Sequence, residues 1–256
     1  MITSESNSLL NALDIERGIV CLTGAGGKRT ILYRLATLHP GRVGITSTTP
    51  IPPFPDKISA YQVITEEKLL FTLVSTAATT HRLIAYTQPS VKKGYLAGIS
   101  PSLVAMIHRQ AGFDISLVNA DTAQGRWIKV PNMEKRAIPE QATHVIPVLS
   151  ALALGQPLSE NIACQAERIQ TIIRIKVGEI LKPVHLARLL ASSAEKLKRG
   201  RKIKIIPLIN MIDDPIRETQ GTAAAKLALS LTDHFDRIVL TRMNCPNPLI
   251  RVVHRH

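Results

Sequence analysis

The stretch VCLTGAGGKRT, residues 20–30, decides the fold of this 256-residue chain. Together with Ile19, its first residues form a continuous apolar run of the kind that fills a strand buried on both faces of a sheet. After the glycine turn, Ile31, Leu35 and Leu38 recur at helical spacing and predict a helix with one apolar face. A strand, a glycine turn, a lysine and a helix in this order indicate an α/β protein with an anion site at the turn.

The turn predicts a phosphate-binding loop. Glycines let backbone N–H groups crowd around phosphate oxygens without Cβ clashes, and the following helix adds free N–H groups and its positive dipole end. The lysine adds a point charge for the β- and γ-phosphates. We therefore expect a nucleoside triphosphate, ATP or GTP or another, with Mg²⁺ as a candidate companion ion. The residues expected to contact the phosphates are Gly24, Ala25, Gly26, Gly27, Lys28, Arg29 and Thr30.

Two known glycine-turn templates fit this turn incompletely. The G-x-G-x-x-G turn of dinucleotide-binding folds needs a third glycine where Arg29 stands. The Walker A template of P-loop proteins needs its first glycine where Leu22 stands and a hydroxyl directly after Lys28, whereas Thr30 is the nearest hydroxyl. A purely structural strand-to-helix turn is therefore the alternative to phosphate binding.

Apolar strands alternate with helical patterns along the rest of the chain, which is typical of a parallel sheet with crossover helices. Ile203–Ile209 predicts a late strand with Pro207 at an edge or bulge, and Ile238–Leu240 predicts the last strand. The predicted fold class is α/β and P-loop NTPase-like, with a mostly parallel sheet flanked by helices. We expect residues 1–256 to form a single domain with a helical insert at 156–200.

The amino-acid composition limits the kinds of partner that we expect the chain to bind. Lys and Arg number 32 against 19 Asp and Glu, and the formal net charge of +13 attracts nucleotide phosphates, nucleic acid or an acidic protein. No apolar run approaches the roughly 18 residues of a membrane span, and Met1–Glu5 lacks the pattern of a secretion signal. Three scattered cysteines favour a reducing compartment, so we expect a cytoplasmic protein without a membrane partner. His254 and His256 flank Arg255 in a predicted frayed tail.

A carboxylate and two hydroxyls are candidate magnesium ligands. Asp121 ends a predicted strand, at the edge of the sheet where ligand sites of α/β proteins gather. It could hold Mg²⁺ as a Walker B acid does, with help from Thr48 at a neighbouring strand end and from Thr30. A helix or turn cap is the alternative role for Asp121, and satisfaction of loop backbone groups is the alternative role for Thr48.

A late segment is a candidate for recognition of the base. Asn210 and Asp213 are spaced as in the N-K-x-D segment of GTP-binding proteins, although Met211 stands where that segment has lysine. A turn role for Asp213 and a helix cap at Asp214 explain the same residues equally well.

A dense basic run at residues 196–202 is the remaining charged feature, and such runs are usually solvated faces. Aromatic residues make up only 4% of the chain, so stacking platforms for single strands are scarce and nucleic acid is not the expected partner. We expect Trp127, the sole tryptophan, to be a packing residue or a partner contact.

Four further segments resemble, in order, those of a known family. They are TSTTP at 46–50, NADTAQG at 119–125 with KVP at 129–131, VLSALALGQPL at 148–158 and LINMID at 208–213. With the glycine turn, they resemble the YqeC family, which is linked to selenium-dependent molybdenum hydroxylases through an accessory role. The likeness covers nearly the whole chain, and the ordered set is far more specific than the turn alone.

The resemblance implies a nucleotide-binding protein that assists the maturation of a selenium-dependent molybdenum hydroxylase or the insertion of its cofactor. It implies two partners, a nucleotide and a molybdenum hydroxylase or cofactor-maturation protein. The residues leave two other classes open: an active small-molecule kinase or GTPase, and a basic nucleic-acid-binding module with an empty turn.

Departures from the family pattern bear on hydrolysis. The family usually has Thr directly after the P-loop lysine, whereas Arg29 has no lone pair with which to hold Mg²⁺. The family's later lysine is Gln124 here, its histidine–acid segment is reduced to residues 132–134, and a later acidic position is Ser150. We therefore expect phosphate binding with weak or lost hydrolysis.

The rate of phosphate release from ATP and GTP by the purified protein checks this expectation. We predict turnover far below that of an ordinary P-loop NTPase. Turnover comparable to such an enzyme, and abolished by Lys28→Ala, would contradict it.

Overall fold

Buried apolar strands form a large sheet that carries helices on both faces. The computed structural model describes residues 6–122, 125–130, 137–198, 200 and 202–255. The strands of the main sheet are β1 (Gly18–Gly24), β2 (Val43–Ser47), β3 (Tyr61–Ile64), β4 (Leu83–Thr87), β5 (Ile115–Asn119), β7 (Ala142–Ser150), β9 (Lys204–Ile205), β10 (Leu208–Asn210), β11 (Arg237–Thr241) and β12 (Leu249–His254). Strands β6 (Ile128–Lys129) and β8 (Ala163–Cys164) form a separate pair.

The strand that carries the glycine turn lies in the middle of this sheet. The order is β12-β11-β10-β7-β1-β5-β2-β4-β3, with β9 also paired to β7. Neighbouring strands run parallel, except that β12 is antiparallel to β11. The carboxyl ends of β7, β1 and β5 therefore meet at one edge, where parallel sheets bind their ligands.

Helices cover the two faces of the sheet. They are α1 (Ser6–Ala12), α2 (Lys28–Leu38), α3 (Glu67–Ala77), α4 (Pro101–Gln110), α5 (Ala166–Ile173), α6 (Pro183–Lys198) and α7 (Pro215–Leu231). Ile19 and Cys21 of β1 belong to one apolar cluster with side chains of α3, α4, α6 and α7. Val20 and Leu22 belong to a second cluster with side chains of α1 and α2. Because side chains of a strand alternate, both faces of β1 are buried. The α/β class and the mostly parallel sheet are thereby confirmed.

The span 156–200, where a helical insert was predicted, contains β8, α5 and α6. Leu186 and Leu190 of α6 lie in the same apolar cluster as Val145 of β7. The prediction of a single domain stays a prediction. Among the described helices, none is both long and apolar enough to cross a membrane.

The predicted late strand Ile203–Ile209 is present as β9 and β10, which pair with β7 in the same register on either side of an interruption at Pro207. Two other local predictions near the end of the chain were wrong. Ile238–Leu240 is not the last strand, because β12 follows it, and His254 lies in β12 rather than in a frayed tail. Backbone pairing with β11 fixes this segment, and such pairing is not visible in local sequence. His256 lies outside the described residues.

Candidate functional site

The glycine turn adopts a backbone that other residues rarely adopt. The φ angles of Gly24, Gly26 and Gly27 are 81°, 101° and 96°. A Cβ atom on Gly24 would lie 2.4 Å from the carbonyl oxygen of Val148, and one on Gly26 would lie 2.6 Å from the amide nitrogen of Ser150. The turn therefore needs glycine both for its conformation and for its close approach to the end of β7.

Most N–H groups of the turn have no acceptor among the residues that the structure describes. The first two amides are used, since Gly24 donates to Oδ2 of Asp121 at 3.3 Å and Ala25 donates to the carbonyl of Val148 at 2.9 Å. The next five amides, at residues 26–30, contact no acceptor within the described part of the chain. Since Ile31 makes the first hydrogen bond at the start of α2, these donors have the arrangement that binds anions at helix N-termini, and the predicted phosphate site stays a prediction.

Lys28 is buried directly beside these amides. Its side chain is only 5% exposed, and its Nζ donates to the carbonyl of Gly24 at 2.5 Å. Burial lowers its pKa to about 8, against the opposing effect of the Asp121 charge and with a further lowering by Lys129. The ammonium group is thus poorly solvated, and an anion in the turn would stabilise its charged form.

A cleft of about 960 Å³ opens above the turn and is strongly cationic. Its volume is at the upper end of the roughly 300–1,000 Å³ range of small-molecule sites. Asp121 is the one carboxylate among the described residues that line it. The cationic lining residues are Lys28, Arg29, Arg34, Lys57, Lys92 and Arg126. The cleft is therefore suited to a ligand with several negative charges.

A tyrosine in the cleft has a hydroxyl without a partner. Tyr33 lines the cleft one turn after the start of α2 and is 9% exposed. Its OH group has no hydrogen-bond partner among the described residues, and burial raises its pKa, with the Arg29 charge opposing. A buried hydroxyl of this kind is usually satisfied by a ligand or water. Tyr33 was not predicted as a site residue, because it lies outside the stripe of Ile31, Leu35 and Leu38 and belongs to no ligand-binding motif.

The structure brings together some of the predicted magnesium ligands but not all. Thr30 is exposed and lines the cleft with Asp121. Thr48 is not among the lining residues, and its hydroxyl donates to the carbonyl of Ala137 at 2.6 Å. Asp121 forms a buried ion pair with Lys129, a residue that the sequence analysis noted only as part of a family segment. The predicted magnesium site stays a prediction.

The two predicted base-reading residues lie in different environments. Asn210 is buried, where its Nδ2 donates to the carbonyl of Gly26 at 3.0 Å and its Oδ1 accepts from the hydroxyl of Thr241 at 3.1 Å. Asp213 is exposed and does not line the cleft. Asn210 thus supports the glycine turn from the neighbouring strand end, and its role toward a base stays a prediction.

Several residues that the sequence analysis singled out lie outside the described residues. They are Gln124, residues 132–134, and Arg199 and Arg201 of the basic run. Trp127 does have the predicted packing role, since it is partly buried against the larger apolar cluster, and it also lines the cleft. Among the described residues, no group of three or more His, Cys, Asp or Glu side chains could hold a metal ion.

The support that Asn210 gives to the turn predicts a stability effect without any ligand. Asn210→Ala removes two buried hydrogen bonds and leaves the Gly26 carbonyl and the Thr241 hydroxyl unpaired. We expect the free energy of unfolding in denaturant to fall by about 1–3 kcal/mol. Asp213→Ala, at an exposed position, serves as the control and should change it by less than about 0.5 kcal/mol. Equal stabilities of the two variants would show that Asn210 does not support the turn.

Comparison with known proteins assigns the chain to a family. A sequence model described as YqeC protein matches residues 20–167, which is more than half of the chain. The chain is also 26% identical over 152 residues to a protein of Escherichia coli strain K12 described as "Uncharacterized protein YqeC", and this match covers 56% of each protein. The span matched by the family model includes the glycine turn, Asp121 and Lys129. This chain therefore belongs to the YqeC family.

Proposed function

We propose that the chain binds a nucleoside triphosphate at the glycine turn and acts as an accessory protein for a selenium-dependent molybdenum hydroxylase. The accessory role is in maturation of the enzyme or insertion of its cofactor. One observation carries the binding proposal: the five amides at residues 26–30, which have no acceptor among the described residues, lie beside the buried Lys28 in a cationic cleft. ATP, GTP or another triphosphate would fit this chemistry.

The phosphates are the part of the ligand that the turn accommodates best. Unpaired N–H groups at a helix N-terminus hold an anion through hydrogen bonds and through the helix dipole. Lys28 is charged below a pH of about 8, and phosphate oxygens would replace the solvation that burial removes. A neutral ligand would leave both the amides and the ammonium group unsatisfied.

The remainder of the cleft has room for a nucleoside. From the turn, its walls continue along α2 past Tyr33 and Thr37 and reach the proline-rich segment 50–55. Ligand sites of this size are mostly apolar with a few convergent polar groups. Tyr33 offers one such polar group, since its hydroxyl has no partner among the described residues.

We propose a P-loop NTPase-like fold for the same reasons. The strand that leads into the turn lies between β5 and β7, and Asp121 follows β5 at the same edge. This is where an acidic residue of a P-loop protein would stand. We also propose that hydrolysis is weak or lost, because Arg29 is exposed to the cleft where a hydroxyl would be needed.

The accessory role rests on the resemblance of ordered segments to the YqeC family. Its test is recovery of a molybdenum hydroxylase, or of a cofactor-maturation protein, with the tagged chain from cells that make the selenium-dependent enzyme. Such recovery should be lost when Gly26→Val disrupts the turn. If neither partner is recovered and hydroxylase activity is unchanged in cells lacking the chain, the role is wrong.

Nucleotide binding should appear as thermal stabilisation. A ligand at about 100 times its dissociation constant stabilises a protein by about 2.7 kcal/mol, which raises the unfolding midpoint by a measurable amount. We expect this from ATP, GTP or CTP, and from inorganic triphosphate. Lys28→Ala should abolish the shift, whereas Lys226→Ala, on the exposed side of α7, should retain it. The proposal fails if none of the four anions moves the midpoint, or if Lys28→Ala responds like the wild type.

The lowered pKa of Lys28 predicts a pH dependence of binding. Above a pH of about 8 the free protein loses the ammonium charge, so affinity for the triphosphate should fall as the pH rises. Between about pH 7.5 and 9.5 we expect the affinity for the triphosphate to fall roughly 20-fold, and binding should be coupled to proton uptake by Lys28 over this range. Calorimetry in two buffers of different ionisation enthalpy measures both quantities.

Lys28→Arg is the matched control for this pH profile, because a guanidinium stays charged throughout the range. Its affinity should vary little with pH. A wild-type affinity that is flat over the same range would contradict the assignment of Lys28 to the phosphates.

A further inference from the structure

We propose that the ammonium group of Lys129 takes the place of a divalent cation beside Asp121, so that the cleft binds its polyphosphate ligand without Mg²⁺. This inference rests on the proposed function, because it concerns the form in which the same ligand is bound. It assigns a role to a residue that lies outside the glycine turn.

Both oxygens of the Asp121 carboxylate are occupied by N–H donors. Nζ of Lys129 contacts Oδ1 and also donates to the carbonyl of Thr122 at 2.6 Å. The backbone N–H of Gly24 donates to Oδ2 at 3.3 Å. The side chains of Lys129 and Asp121 are 8% and 9% exposed. The carboxylate that would hold a metal ion is thus already neutralised by a buried positive charge of the protein.

The pair is fixed in place by the fold. Asp121 lies two residues after the end of β5, and Lys129 ends β6, whose backbone pairs with β8. Ser150, at the end of β7, donates its backbone N–H to the carbonyl of Trp127 at 3.0 Å and thereby ties this segment to the main sheet. A metal ion that displaced Lys129 would leave an ammonium group buried without its partner, which is strongly unfavourable.

The other oxygen donors do not fit Mg²⁺. This ion prefers octahedral coordination by carboxylates, hydroxyls, waters and substrate phosphates. The position after Lys28 is Arg29, which has no lone pair, and the hydroxyl of Thr48 is directed to the carbonyl of Ala137 rather than to the cleft. Of the two hydroxyls predicted to bind Mg²⁺, that of Thr30 is the one at the cleft, and it makes no hydrogen bond among the described residues.

Positive side chains can supply the charge that Mg²⁺ usually supplies. Magnesium lowers the electrostatic cost of gathering phosphate oxygens in one place, and lysine or arginine side chains can do the same. The cleft is lined by several such groups, with Lys28 and Arg29 at the turn and Arg126 close to the Asp121 segment in sequence. A metal-free triphosphate carries more negative charge than its magnesium complex and would therefore match this lining better.

The test is titration calorimetry with ATP, GTP and inorganic triphosphate, in excess MgCl₂ and in excess EDTA. We expect the affinity for the triphosphate in EDTA to equal or exceed that in MgCl₂, because Mg²⁺ binds the triphosphate and lowers the concentration of its metal-free form. Binding that is about tenfold weaker in EDTA, equivalent to 1.4 kcal/mol, would overturn the inference and leave the proposed function intact. No binding in either condition would overturn both.

Two variants separate the role of Lys129 from a general effect of charge. Lys129→Met removes the ion-pair partner of the Asp121 carboxylate, and Mg²⁺ should now increase triphosphate affinity about tenfold. The double variant Lys129→Met/Asp121→Asn removes both charges, and its affinity should not respond to Mg²⁺. If Lys129→Met is as indifferent to Mg²⁺ as the double variant, Lys129 does not stand in for the ion. Should Lys129→Met not fold, the wild-type and double-variant titrations still decide, since a Mg²⁺ requirement in either would overturn the inference.

Discussion

The close packing of the glycine turn against the ends of β7 and β10 positions the rest of the candidate site. Left-handed backbone at Gly24, Gly26 and Gly27 brings the chain so near to β7 that no Cβ atom fits at the first two of these positions. The amide of Asn210 holds the Gly26 carbonyl from the other side. Within the described part of the chain, the amides of residues 26–30 at the start of α2 have no acceptors. The arrangement of these donors is thus a consequence of how the turn is packed.

The electrostatics of the cleft follow from the same packing. Lys28 is buried beside the turn and is poorly solvated. The negative charge of Asp121 is largely balanced by its ion pair with Lys129, so it repels an anionic ligand only weakly. The remaining lining residues are predominantly cationic. A buried ion pair of this kind often contributes little to the free energy of unfolding, but it can fix the relative positions of the segments that it joins. We assign this positioning role to the pair of Asp121 and Lys129. Phosphate binding would therefore depend on protein cations more than on a metal ion.

Local sequence was sufficient to predict the elements that carry the turn. The apolar run before it, the glycines and the helical spacing after it all lie within one short stretch, so β1 and α2 were predicted correctly. The cap of α7 was likewise local, since the side chain of Asp214 accepts from the amide of Arg217. The parallel sheet followed from the alternation of strands and helices.

Contacts between distant segments could not be predicted in this way. Asn210 lies 184 residues from Gly26 in the sequence. Its polar side chain suggested contact with a ligand, but in the structure it forms hydrogen bonds with the glycine turn and with Thr241. Lys129 and Asp121 are eight positions apart in the sequence, and no local pattern predicts that their side chains pair. Strand β12 was missed because its only main-sheet partner is β11, and a short segment near a chain end resembles a tail until that pairing is known.

The most direct test of the central claim is to follow the backbone amide resonances by ¹H–¹⁵N NMR while inorganic triphosphate is added. Hydrogen bonds from amides to phosphate oxygens should produce the largest downfield proton shifts at residues 26–30, with smaller changes at Gly24 and Ala25, whose amides already have acceptors. Largest shifts elsewhere, with the amides of residues 26–30 unmoved, would contradict the account.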